Sequence, residues 1–344
     1  MFRDAPPVVT TNHPASGIYG GCVNYRTLGR TGLEVSEIGY GAWGIAGDAW
    51  LGAKDEESLR ALSRAVDLGL NFVDTALAYG EGHSERLVGK IVQERDETIH
   101  VATKVPPKNK VWPAPEGVSP EEAFPGAYVR ECTEQSLSNL GLDTIDVQQF
   151  HVWQDDWVGR GDWLETVEDL KREGKIRAFG VSINDHQASN AVRLISTGAV
   201  DTVQVIYNVF DQSPEDLLLP ACQEHGVGVI VRVPFDEGAL TGRITPETTF
   251  EEGDFRNDYF RGDRKQEVYD RVRAIVSELG TSEDEIAEIA LRYILSHPAV
   301  STVIPGMRSV RNVERNMAVA DGKGLPEEQV RVLKKHRWDR NFYA

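Results

Sequence analysis

The chain has 344 residues, 26% of them charged, and a formal net charge of −17. That acidic balance argues against a general binder of nucleic acid or of anionic membranes, and no apolar run approaches the roughly 18 residues that a membrane span needs. The three cysteines, Cys22, Cys132 and Cys222, stand apart without paired spacing, which fits a reducing, cytoplasmic setting and no metal site.

Residues 1–23 are rich in Pro, Thr and Gly and lack the charged-then-apolar order of a signal peptide. They are expected to form a polar arm on the surface or against a neighbouring subunit, which leaves a homo-oligomer open. The rest, 24–344, is expected to be a single domain. Two short strand-like pieces, 24–28 and 33–36, flank a Gly-bounded turn and predict a β-hairpin. Residues 38–41 predict a first interior strand, followed by a loop with Trp43 and Trp50.

A regular alternation then begins. Helices are predicted over 56–68, 84–93, 128–140, 163–173, 186–196, 214–225, 281–296 and 310–318, with Ser84, Ser213 and Ser282 as starting signals. Strands are predicted over 72–74, 98–104, 145–151, 178–182, 202–207, 228–234 and 302–305. Several are continuous apolar runs, as expected where both faces are covered. Eight strand–helix units predict an α/β fold, a parallel sheet closed into a (β/α)8 TIM barrel, over a doubly wound open sheet. Residues 265–279 and 326–336 read as two extra helices. Three long loops, 106–126, 153–162 and 235–263, all follow strands and so share one rim, where long ordered loops are usually functional.

Polar residues close three successive strands. Asp74 ends one, with Tyr79 on the loop beyond; Lys104 and His151 end the next two. A tyrosine of pKa about 10 is a weak acid. A neighbouring ammonium stabilises its phenolate, an aspartate holds the ammonium, and a histidine can hydrogen-bond a carbonyl oxygen. Together they could protonate a carbonyl while hydride arrives at its carbon. Each alone reads as an ordinary structural residue; the convergence carries the argument. The stretch Gly39-Tyr-Gly41-Ala-Trp-Gly44 fits GxGxxG, but the next helical pattern starts only near Asp55, so it is not read as a dinucleotide fingerprint.

These residues sit in motifs that resemble the aldo-keto reductases, nearer the branch of the potassium-channel β-subunits than that of the aldose reductases. The motifs are FVDTALAYGEGHSE at 72–85, ATK at 102–104, QQFH at 148–151, GVSIN at 180–184, VQVIYN at 203–208, PFDEGALTGR at 234–243 and VIPGMRSVRNVERN at 303–316. The resemblance implies Tyr79 as general acid, tuned by Lys104 and Asp74, with His151 orienting the carbonyl. It implies an extended NADPH, with NADH less favoured, lying across the barrel mouth. Ser182, Asn184 and Gln204 would bind the carboxamide and Tyr207 would stack on the nicotinamide. Pro234, Leu240, Gly242 and Arg243 would follow the pyrophosphate, and Gly306, Arg308, Asn312 and Asn316 would take the adenosine end. Gly41 and Trp43 would line the mouth. Arg308 favours NADPH, since a guanidinium can pair with a 2′-phosphate.

Two positions depart from the family pattern. Asn312 stands where Gln is usual. Arg232 precedes Val233-Pro234, as a substrate or phosphate contact or as a salt-bridged barrel residue. The substrate rim is assigned to Trp50, Trp112 and Trp153 with Trp43 and Trp157, suited to an aromatic carbonyl or a sugar face, while Asp155, Asp156 and Asp162 would disfavour anions. The expected partner is a small-molecule carbonyl compound. The same chemistry run in reverse would be a sugar or alcohol dehydrogenase. The alternative of another class is a cofactor-binding sensor with negligible turnover.

Overall fold

The structure is a computed structural model that describes residues 23–47 and 52–343. The predicted arm, apart from Val23, and the proposed rim residue Trp50 lie outside the described residues.

The hairpin forms as predicted, with β1 (Tyr25–Thr27) antiparallel to β2 (Glu34–Ser36). Eight parallel strands follow: β3 (Tyr40–Gly41), β4 (Phe72–Asp74), β5 (His100–Val105), β6 (Ile145–Phe150), β7 (Ile176–Ser182), β8 (Thr202–Ile206), β9 (Gly228–Arg232) and β10 (Val300–Val303). Each pairs with the next in chain order. Parallel bridges Ile38↔Val303 and Gly41↔Gly306 join the first strand to the last and close the barrel. The first two glycines of the false fingerprint serve this closure. Gly39 and Gly41 donate to the carbonyls of Val303 and Pro305 at 2.8 and 3.1 Å, and a Cβ on Gly41 would lie 2.6 Å from the Ile304 carbonyl.

Helices cover the outside. Seven of the eight predicted barrel helices form within a few residues of their expected places, and the two extra helices are Arg264–Leu279 and Glu327–Lys334. The helix predicted over 186–196 is the exception, reduced to Val192–Thr197. Side chains take the backbone's place in the missing turns. His186 Nδ1 pairs with Asp211 at 2.7 Å, Asn184 Nδ2 donates to Gln187, and Asn190 Nδ2 donates to the Trp153 carbonyl. Ser84 also differs from its expected role. Gly82 precedes the helix His83–Glu94, while Ser84 is buried, donating to the Ala42 carbonyl and accepting from Thr75.

Strand alternation divides the barrel into an inside and an outside. Phe72, Ala102, Val147, Ala178, Ile230 and Ile304 form a dry layer inside, plugged by Leu28 and Val35 of the hairpin region. Two residues further along β4, β5, β6 and β9, and therefore on the same inner face, stand Asp74, Lys104, Gln149 and Arg232. The apolar floor thus carries a polar layer at the carboxyl ends of the strands, where barrel enzymes keep their chemistry.

Candidate active site

The centre of that layer is a hydrogen-bonded chain. Lys104 Nζ donates to Asp74 Oδ2 at 2.6 Å, to the Thr75 carbonyl at 2.8 Å, and reaches the Tyr79 hydroxyl at 3.4 Å. Asp74 Oδ1 accepts from Gln204 Nε2 at 2.7 Å and from Gln149 Nε2 at 3.1 Å. The His151 ring stands edge-on to Tyr79, with centroids 5.6 Å apart. The four residues expected from three successive strand ends are therefore brought together.

Burial and the neighbouring charges together set their protonation. Burial would push the Lys104 ammonium down, but Asp74 and the phenol outweigh it and hold the lysine above its ordinary value. It lifts the Tyr79 phenol; the Lys104 ammonium pulls the other way, and Asp74 adds to the rise. Burial, then Lys104 and Arg232, hold His151 well below its ordinary value. It is a neutral imidazole at pH 7, and its buried Nδ1 has no partner among the described residues. A proton therefore resides on the phenol, next to a fixed cation and a neutral hydrogen-bonding ring.

A cavity of about 1180 Å³ opens above this chain. Asp74, Tyr79, His151, Ser182, Asn184 and Gln204 line it, as do Gly41, Trp43 and Trp112. Pro234, Arg243, Gly306, Arg308, Asn312 and Asn316 line it too. Lys104 lies beneath, fully buried. Arg232 lines the cavity and is also salt-bridged. Its Nη2 donates to Asp185 at 2.6 Å and to the Ile183 carbonyl at 3.0 Å, which is the salt-bridged reading of this residue.

Several expected residues face elsewhere. Tyr207 is 1% exposed and its hydroxyl donates to Glu215 at 2.8 Å, beside Tyr293. Tyr207, one residue past the end of β8, is thus turned away from the cavity that Gln204 lines. Leu240 packs into the core from the turn Asp236–Thr241. Gly242 has φ +71°, and a Cβ there would lie 2.2 Å from the Glu283 carbonyl, so it serves close packing.

Trp153 and Trp157 are not rim residues: both are 0% exposed and stack edge-to-face with each other, 5.5 Å apart. Asp155 is committed to the Trp153 indole and to the backbone N–H groups of Arg193 and Leu194, and Asp162 to that of Gly126. Trp112, 45% exposed, keeps its place on the rim. Trp153→Ala is expected to lower the unfolding free energy by about 3–5 kcal/mol, and Trp112→Ala to change it by less than about 0.5 kcal/mol. Urea titrations of the two variants measure the contrast.

Other lining residues escape a reading of strand ends. Arg256, clamped by Asp254 at 2.9 Å and stacked on Phe250, comes from the long loop after β9, beside Arg308. Glu237 and Tyr343 meet across 106 positions of chain, the tyrosine hydroxyl donating to the carboxylate. Burial pushes the Glu237 carboxyl up to about 7, against the Tyr343 hydrogen bond. Val233, Asp236 and Glu237 adopt left-handed backbone, φ 54°, 49° and 55°. Tyr259 and Arg340 hold Asp236 as Tyr343 holds Glu237. Strain in non-glycine residues persists where surrounding contacts impose it, commonly beside functional sites.

Among the described residues no helix is long and apolar enough to cross a membrane. The sequence profile of the aldo/keto reductase family matches residues 37–337. The chain is 32% identical over 301 residues to the aldo-keto reductase YhdN of Bacillus subtilis, covering 85% of this chain and 87% of that protein. It is 29% identical over 310 residues to an NADH-specific methylglyoxal reductase of Escherichia coli, covering 85% and 91%. Among solved structures it is similar to the holo form of the aldo-keto reductase AKR11C1 from Bacillus halodurans, with a TM-score of 0.70 and 29% identity over 91% of this chain and 96% of that one.

Proposed function

The chain belongs to the aldo/keto reductase family, and from that premise we propose that it reduces an aldehyde or ketone with NADPH, Tyr79 giving the proton. The observation that carries this reading is the Asp74–Lys104–Tyr79 chain at the cavity floor, with neutral His151 beside it.

The residues present suit a nicotinamide dinucleotide. Both N–H groups of Gln204 are taken, one by Asp74 and one by Gln149 Oε1 at 3.3 Å, so Gln204 offers the cavity only its carbonyl oxygen. That oxygen would accept from a carboxamide NH2, with Ser182 its register partner on β7. Arg308 has Arg256 as a near neighbour, and burial together with that like charge holds its pKa below the ordinary value. The Arg308 guanidinium on the cavity wall would be relieved by an anion, and the 2′-phosphate of NADPH supplies one. Bound, the reduced nicotinamide would supply the hydride. Gly306, Asn312, Asn316 and Arg243 complete the proposed cofactor contacts on the cavity wall.

The chain's own part is proton delivery and orientation. His151, neutral, offers an N–H to the carbonyl oxygen and so turns it toward the phenol. Tyr79 gives its proton to that oxygen as negative charge develops there. Lys104 stabilises the phenolate left behind, and Asp74 keeps Lys104 charged. Trp43 and Trp112 present apolar faces to the substrate and screen it from water.

The NADH-specific relative makes cofactor preference a matter for measurement. Arg308→Ala is expected to weaken NADPH about 10- to 100-fold, the worth of a charge-assisted pair, and to leave NADH within about threefold. Fluorescence titration of both nucleotides reads the ratio; equal losses would mean that Arg308 does not read the 2′-phosphate. Turnover itself is tested by loss of nicotinamide absorbance with a panel of aldehydes, ketones and sugars.

A further inference from the structure

The Asp74 carboxylate is 3% exposed, and its surroundings are fully specified by hydrogen bonds. Oδ2 accepts from Lys104, and Oδ1 accepts from the amides of Gln149 and Gln204. An ionised carboxylate can only accept, so both amides must turn their NH2 groups toward it. Gln204 then directs its second N–H to Gln149 Oε1 at 3.3 Å. Gln149 is thus donor to one partner and acceptor from the other, closing a triangle of buried polar groups. It is 0% exposed and lies beneath the cavity wall, out of reach of any ligand. The neighbouring strand leaves room for it. At Gly180, its register partner on β7, a Cβ would stand 3.1 Å from Gln149 Cγ and 2.2 Å from Thr202 Oγ1.

We propose that Gln149 is a positioning residue that acts through two others: it holds the Asp74 carboxylate in place behind Lys104, and together with Asp74 it fixes the Gln204 amide with its oxygen toward the cavity. The first action rests on Tyr79 being the acid, and the second on Gln204 being a cofactor contact. Without the Gln149 donor, Asp74 keeps the same charge with one fewer N–H to spread it. The charged or titratable groups that face Tyr79 are Lys104, Asp74, Arg232 and His151. Of these Asp74 is the anion, and a less compensated anion makes the phenol a weaker acid. Without the Gln149 acceptor, Gln204 keeps its 2.7 Å bond to Asp74 but loses the 3.3 Å contact of its second N–H, so its amide is held by one bond in place of two.

The test uses the full-length protein with Gln149→Met, which keeps the size and removes both hydrogen bonds, and Gln149→Glu. In the methionine variant the alkaline fall of kcat for carbonyl reduction is expected to move up by about one pH unit. NADPH binding, read by fluorescence quenching without turnover, is expected to weaken about tenfold. In the glutamate variant a protonated carboxyl can donate to Asp74 and accept from Gln204. It is therefore expected to match the wild type at low pH and to lose both cofactor affinity and kcat as it ionises. This comparison lies within one protein, so it decides the matter even where the methionine variant fails to fold. An unchanged pH midpoint and unchanged affinity in Gln149→Met would overturn the proposal. So would a loss shared by both variants and independent of pH, the mark of a merely structural residue. Should Tyr79→Phe retain full turnover, the acid assignment fails on its own, and cofactor affinity still reads the contact between Gln149 and Gln204.

Discussion

Tyr79→Phe is expected to lower kcat for carbonyl reduction by about 10²- to 10⁴-fold, the usual worth of a positioned general acid, while NADPH affinity stays within about twofold. The substitution removes one hydroxyl. Lys104 keeps its two shorter hydrogen bonds, to Asp74 at 2.6 Å and to the Thr75 carbonyl at 2.8 Å, and gives up only the 3.4 Å contact. The ring contacts with His151 and Trp43 survive. Stability should therefore be almost unchanged, which separates loss of chemistry from loss of structure. Steady-state rates, nucleotide titration and thermal unfolding on one preparation give the three numbers. Turnover left intact would remove Tyr79 from the mechanism.

Lys104→Met should damage both activity and stability. Lys104 is fully buried and its charge is balanced by Asp74, itself 3% exposed. Removing one member strands the other, and breaking a buried pair costs about 3–5 kcal/mol. The Gln149 and Gln204 amides still bond Asp74 Oδ1, so the loss should fall toward the lower end of that range. Turnover should fall at least as far as in Tyr79→Phe, because the phenolate loses its counter-charge. The double variant Lys104→Met with Asp74→Asn removes both charges. It should recover a large part of the stability and none of the activity. Urea unfolding of the two single variants and the double variant measures the coupling; additive losses would mean that the two groups do not act as a pair.

The polar layer in which both predictions lie was largely readable in advance. Asp74, Lys104 and His151 each stand at the end of a strand, and a strand followed by a loop and a helix places such residues on the carboxyl rim whatever the rest of the chain does. The same period of two could have excluded Tyr207, three residues beyond the inward Gln204, and could have drawn attention to Gln149, two residues before His151 on the same face. Both signals are local ones.

Other features had no local signal. Trp112 and Trp153 both stand in loops that follow strands, yet one is 45% exposed and the other fully buried. The difference lies in what packs on them: Trp153 is covered by Trp157 and Trp163. The turns that replace the first part of the helix predicted over 186–196 depend on Asp211 and Trp153, and the contact of Glu237 with Tyr343 spans 106 positions.

The sequence by itself determined the eight-fold alternation, the closed barrel and the polar residues at its rim, because strand period, helix period and strand-to-loop order are properties of neighbouring residues. Only the tertiary structure decided which loop aromatics face the cavity, how the Asp74 carboxylate is shared between two glutamines, and how the C-terminal segment braces the loop after β9. Those outcomes depend on side chains from distant segments competing for the same space and the same hydrogen bonds, and no local pattern records who wins.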